Sequence, residues 1–139
     1  MTVIGKHLYA DLYGIQYVPS EEELKVIVEE AAKRSKMTIV EMVSYTEGEE
    51  TDELYGSSVI AIVVESHIAV HIWNHYRYAT VDVYTCGEDS DPWKGFGYII
   101  EVLKPEHIEA HYMDRRSDKK PCPFRKPVRR HRKHENTSN

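Results

Sequence analysis

Hydrophobic and polar positions along this chain follow two periods, one of two residues and one of about 3.6, and their order sets out the fold. Val3 to Gly14 places Leu8, Ala10 and Leu12 on one side and Tyr9 and Tyr13 on the other, which predicts a strand ending at Gly14. After Pro19, Ser20 and Glu23 have the spacing of a capping box. Leu24, Ile27, Val28, Ala31 and Ala32 then recur at helical spacing, so residues 21–36 are predicted to form an amphipathic helix. Thr38 to Tyr45 reads as a strand and Thr46 to Asp52 as an acidic loop. Ser57 to Glu65 is a nearly continuous β-branched and apolar run, the pattern of a central strand buried on both faces.

His67 to Trp73 and Tyr78 to Cys86 alternate again, and Asn74 to Arg77 between them suits a hairpin connection. Asp91-Pro92 marks a helix start, an aspartate cap before a proline whose missing donor costs nothing there; Trp93, Phe96, Ile99, Ile100 and Leu103 supply its stripe. Lys104-Pro105 ends that helix, and His107 to Tyr112 offers a last strand. The order predicts an α+β fold, a two-layer sandwich with two main helices on one face of a mostly antiparallel sheet. No internal repeat is present.

The composition of 139 residues, 41% hydrophobic and 29% charged, fits one soluble domain with one core. No apolar run reaches the roughly 18–20 residues of a membrane helix, and the first residues lack a signal-peptide pattern, so a cytoplasmic protein without a membrane partner is expected. Charge is divided: residues 1–113 carry 8 Lys/Arg against 20 Asp/Glu, and residues 114–139 carry 10 against 3. The acidic body disfavours nucleic acid and suits a small cationic substrate. The basic end, 114–139, is expected to be a disordered tail beyond a domain of residues 1–113.

Reactive side chains gather between Ser58 and Cys86, in strands whose apolar character does not call for them. Cys86 and Cys122 have neither disulfide nor zinc spacing, and His67 and His71, four apart on a strand, lie roughly 13 Å from one another, too far to share a metal. No metal site is expected. Cys86 could serve as acid, base or nucleophile, or be a small buried hydrophobe. Ser66 with His71, or Cys86 with His71, could form a nucleophile and base pair, yet no hydrolase signature, phosphate loop or dinucleotide fingerprint accompanies them.

The runs Gly56 to Trp73, with Glu65-Ser66-His67 and His71, Tyr78 to Gly87, with Thr85-Cys86-Gly87-Glu88, and Asp91-Pro92-Trp93-Lys94 closely resemble the prokaryotic S-adenosylmethionine decarboxylase family, which includes archaeal pyruvoyl-dependent arginine decarboxylases. The resemblance covers about residues 3–114. It implies a proenzyme that breaks between Glu65 and Ser66 to give a β chain, 1–65, and an α chain, 66–139. Ser66 would become a covalent pyruvoyl cofactor, a carbonyl that condenses with the substrate amine as a Schiff base and accepts the electrons of decarboxylation. Ser58 and His71 would assist processing, His71 as the base, and Cys86 would reprotonate the substrate carbon. Homo-oligomers of αβ units are implied as well.

Substrate choice rests on departures from the pattern. Where S-adenosylmethionine decarboxylases carry Phe-x-Pro-x-Gly-Val-Ser-Gly, this chain has Asp52-Glu53-Leu54-Tyr55-Gly56-Ser57-Ser58-Val59, with a carboxylate in place of the adenine-holding aromatic. Asp52 could pair with a guanidinium, whereas Tyr55 could still stack on adenine, which favours the nucleoside alternative. Tyr112-Met113-Asp114-Arg115 also resembles the arginine branch. The resemblance thus implies conversion of L-arginine to agmatine and CO2 in polyamine biosynthesis, the alternative being S-adenosylmethionine decarboxylation for spermidine synthesis. The family's His-Thr-Trp-Pro-Glu is His71-Ile72-Trp73-Asn74-His75 here, which loses the loop's proline and glutamate. Two other classes compete: an RNA-binding module using the basic tail, and a cysteine hydrolase built on Cys86 and His71.

Overall fold

The computed structural model describes residues 1–118 and resolves the predicted order: β1 (Ile4–Tyr13), α1 (Glu21–Arg34), β2 (Ile39–Glu47), β3 (Gly56–Val63), β4 (Ser66–Trp73), β5 (Tyr78–Thr85), α2 (Pro92–Leu103) and β6 (His107–Arg116). The strands form one six-stranded sheet in the order β2-β3-β4-β5-β1-β6. Every pairing is antiparallel. Cys122 and the end of the basic segment lie outside the described residues.

Both helices begin where their caps predict. Ser20 accepts from the Glu23 amide while the Glu23 carboxylate accepts from the Ser20 amide, and Asp91 accepts from the Trp93 amide ahead of Pro92. The α1 stripe of Leu24, Ile27, Val28 and Ala31 and the α2 residues Phe96, Ile99 and Leu103 cover one face of the sheet. There they meet Leu8, Leu12, Val59, Ile68, Val70, Val81 and Val83, all fully or almost fully buried. Apolar burial on this one side is the dominant stabilising term.

Two expectations change. β3 is not buried on both faces: its residues alternate, and Ile60 and Ile62 are 44% and 52% exposed on the side without helices. The continuous apolar run therefore serves two surfaces, one covered by helices and one left open. The last strand also runs past Tyr112 to Arg116 because β1 offers ten paired positions along its edge, from Ile4↔Arg116 to Tyr13↔His107. Ser117 then closes the pairing, its amide donating to the Val3 carbonyl and its hydroxyl accepting from the Val3 amide. The ordered sheet thus extends beyond the boundary drawn at residue 113.

Candidate active site

The Glu65–Ser66 bond lies at the tip of a tight hairpin. Val63 pairs with Ser66, so only Val64 and Glu65 connect β3 to β4. Ser66 is forced to a φ of 155°, a conformation essentially confined to glycine and costly for a residue with a side chain. The Glu65 carbonyl is already engaged, since its oxygen accepts from the Cys86 amide at 2.8 Å. A backbone N–H aimed at that oxygen would stabilise the negative charge that develops when the carbonyl is attacked.

Neighbouring contacts hold this arrangement from several sides. The Thr38 amide donates to the Glu65 carboxylate at 3.0 Å, and the Val64 amide donates to the Thr38 carbonyl at 2.8 Å. Ser66 pairs with Thr85, which brings β5 and the following Cys86 alongside. The loop after Cys86 turns as the Gly87 amide donates to Thr85 Oγ1. Gly87 is needed there because a Cβ would meet Ser90 Oγ at 2.3 Å and Glu65 Cγ at 2.8 Å. Lys6 donates to the Ser90 carbonyl at 2.7 Å and more distantly to those of Gly87 and Glu88, tying the loop to β1. Cys86 itself is exposed, which removes the reading of it as a small buried hydrophobe.

Ser58 and His71 are also brought together, but elsewhere. They face one another across β3 and β4, with Ser58 Oγ 2.8 Å from His71 Nδ1. His71 lies five positions along β4 from Ser66, about 17 Å at the usual rise. Ser66 and Cys86 therefore form one group within a chain, and Ser58 and His71 a second. Asp52 and Tyr55 lie farther still, beyond the other end of β3, about 23 Å from the Glu65–Ser66 hairpin by strand length. Asp52 closes its own turn there by accepting from the Glu49 amide at 2.7 Å, and the Tyr55 ring lies 6.2 Å from that of His75.

The open face carries a further cluster. Asp82 Oδ1 meets His7 Nε2 at 2.9 Å and His67 Nε2 at 3.1 Å, so one carboxylate holds two imidazoles, one of them on the residue that follows Ser66. His67 and Asp82 stand out in the sequence only as lone polar positions, each more often structural. His7 has no motif, and its one signal is its odd position opposite Leu8 and Leu12 in β1. Tyr78 closes the far end of this face, its pKa pushed up to about 12, first by burial and then by its hydrogen bond to Asp11 at 3.0 Å.

Residues 6–116 match the family model of S-adenosylmethionine decarboxylase. The chain is 49% identical over 121 residues to an arginine decarboxylase proenzyme of Ignicoccus hospitalis, covering 86% of this chain and 82% of that one. It is 50% identical over 117 residues to an arginine decarboxylase proenzyme of Hyperthermus butylicus, covering 83% and 80% respectively. Among solved structures, the adenosylmethionine decarboxylase of Aquifex aeolicus superposes with a TM-score of 0.73 at 30% identity, covering 86% of this chain and 97% of that one.

Proposed function

The chain belongs to the S-adenosylmethionine decarboxylase family, and within it we propose a self-processing, pyruvoyl-dependent arginine decarboxylase that converts L-arginine to agmatine and CO2. One observation carries the chemistry: the Cys86 amide on the Glu65 carbonyl, beside a serine strained at the tip of a two-residue loop.

In this reading Ser66 Oγ attacks the Glu65 carbonyl carbon, its C–O bond forming as the peptide C–N bond breaks, so that an amide becomes an ester. The Cys86 N–H stabilises the oxyanion, and relief of the strained Ser66 backbone favours the exchange. A base then removes the Ser66 α proton as the Cβ–Oγ bond breaks, which releases Glu65 as a carboxylate carrying that oxygen and leaves a Cα=Cβ double bond at residue 66. A proton shift to Cβ turns the Cα–N bond into an imine, water adds to it, ammonia leaves, and a pyruvoyl group caps the α chain. That group supplies an electron sink for decarboxylation of a bound amino acid. The residues beside it fit, because the β4 pairing of residue 66 with Thr85 and the His67–Asp82 contact hold the new terminus after the chain breaks. Cys86 delivers a proton to the substrate carbon after CO2 leaves, a role within reach of a thiol.

His71 is the base for the α proton, with Ser58 holding its ring through Nδ1. At about 17 Å from Ser66 along one strand, it reaches the partner's hairpin and not its own. A second copy packed on the open sheet face completes the site and covers Ile60, Ile62, Val43 and Tyr45, which one protomer leaves exposed. The unit is therefore a homo-oligomer of αβ protomers. Asp52 pairs with the substrate guanidinium and Tyr55 packs beside it, both meeting a reaction centre in another copy. Its setting is the cytoplasm, in polyamine synthesis.

CO2 release from carboxyl-labelled arginine and S-adenosylmethionine, measured side by side, tests the substrate. Release from arginine alone is expected; release from S-adenosylmethionine alone overturns the assignment and leaves the cleavage chemistry standing.

A further inference from the structure

Lys6 belongs to none of the motifs, yet its ammonium has a defined place. It stands on β1 opposite Thr85, the residue before Cys86, and reaches the loop that follows. Its Nζ donates to the Ser90 carbonyl at 2.7 Å and to those of Gly87 and Glu88 at 3.4 Å each. An ammonium has three N–H donors, and three backbone carbonyls lie within their reach. Three carbonyl oxygens gathered about one point repel one another, so residues 87–90 keep this shape while a cation sits among them. A neutral side chain of similar length would leave the oxygens without that partner.

The consequence lies in what the loop carries. Cys86 joins β5 to it, with its amide on the Glu65 carbonyl at 2.8 Å and its thiol exposed. On the strand side Cys86 is fixed by Thr85, which is fully buried and paired with Ser66. On the loop side the neutral ties are the Gly87 amide on Thr85 Oγ1, the Ser90 amide on the Gly87 carbonyl at 3.3 Å and Ser90 Oγ on the Lys36 carbonyl. Lys6 adds the charged tie, and charge-assisted hydrogen bonds are the stronger kind. A small rotation of the peptides after Cys86 would swing its N–H off the Glu65 oxygen, where alignment decides how well a developing charge is stabilised.

We propose that Lys6 is a positioning residue for self-cleavage: its cationic clasp on Gly87, Glu88 and Ser90 holds the Cys86 N–H on the Glu65 carbonyl while the bond to Ser66 is cut. The inference deepens the self-processing reading and rests on it. Refolding the full chain from denaturant, and following the appearance of chains 1–65 and 66–139 by gel and intact mass, gives the rate. Lys6→Met keeps the bulk of the stem and loses the donors. It should cleave about tenfold more slowly than the unaltered chain, short of the roughly 10²–10³ lost when an oxyanion donor is removed outright. Lys6→Arg, which keeps charge and N–H, should cleave faster than Lys6→Met. In Lys6→Ala, added ethylammonium should restore the rate with saturation, entering by the cavity of about 640 Å³ that Lys6, Cys86, Gly87 and Glu88 border. Tetramethylammonium, a cation without N–H, should not. A lysine that serves stability alone would lower the melting temperature when replaced and leave the cleavage rate of the folded protein unchanged. That result, equal rates in Lys6→Met and Lys6→Arg, or rescue by both cations alike, overturns the proposal. The unaltered chain separates the two failures: if it stays whole, the self-processing reading falls and this inference with it, and if it cuts no faster than Lys6→Met, the role of Lys6 alone falls. Should Lys6→Ala not fold, the comparison of Lys6→Met with Lys6→Arg still decides.

Discussion

The two ends of the central strands are built differently. At the Ser66 end the connections are short and braced through the backbone: Cys86 N–H on Glu65 O, Thr38 on Glu65, and Lys6 on three carbonyls of the loop after Cys86. At the other end the connections are longer and more acidic, with Asp52 closing its own turn on the Glu49 amide. Fixed donors and strain suit bond breaking, where a small displacement of a reacting atom is costly. Charged side chains on longer connections suit recognition. Because about 23 Å separates the ends, no single protomer brings the two sets of groups to one point.

The largest test of that separation uses His71. In His71→Ala self-cleavage should stall, and mixing this variant during refolding with Ser66→Ala should restore cutting of the His71→Ala chain alone, read by gel or mass. If the mixture stays uncut, His71 does not act across copies and the comparison of ends loses its functional meaning. Next comes Cys86→Ala, in which the backbone N–H on Glu65 O is kept and the thiol is lost. Cleavage should persist while turnover falls by about 10²–10⁴, the usual contribution of a general acid. An uncleaved Cys86→Ala protein would instead assign the thiol to processing.

Asp52→Asn probes the recognition end. Loss of a charge-assisted pair with guanidinium should raise KM by about tenfold, with little change in kcat, in steady-state assays on fully cleaved enzyme. An equal fall in kcat and kcat/KM would place Asp52 in the reaction itself. The smallest effect is expected for Glu21→Gln, which weakens the tie between α1 and β2 through Ser44 and Thr46. Glu21 has its pKa lowered in the fold, so its contribution is present above the ordinary carboxylate range and is lost as pH falls through the lowered value. The melting temperature should therefore drop slightly at neutral pH and converge with the unaltered protein in acid.

Much of this arrangement is legible in the sequence, and the limits have physical causes. Period-two and period-3.6 patterns, the Ser20–Glu23 box and Asp91-Pro92 locate the elements because burial and capping are local rules. Ser58, Ser66, His71 and Cys86 are identifiable by motif. Their division into two groups is not, since it depends on strand length and register, and neighbours in a motif can stand far apart along a strand. The run Ser57 to Glu65 misleads for a related reason. Ile60 and Ile62 are apolar on an open face, and sequence alone does not distinguish a surface awaiting a partner from one already covered. His7 and Lys6 carry no motif at all, and their roles arise only when β1 is laid beside β5.

The central claim is that Ser66 cuts the chain at its own amide bond, and intact mass of the purified protein tests it most directly. Two chains are predicted, residues 1–65 and 66–139, the second with a keto-acyl group in place of its N-terminal serine, whereas Ser66→Ala should remain whole. A single 16.2 kDa species for the unaltered protein, or a break at any bond other than Glu65–Ser66, would contradict it.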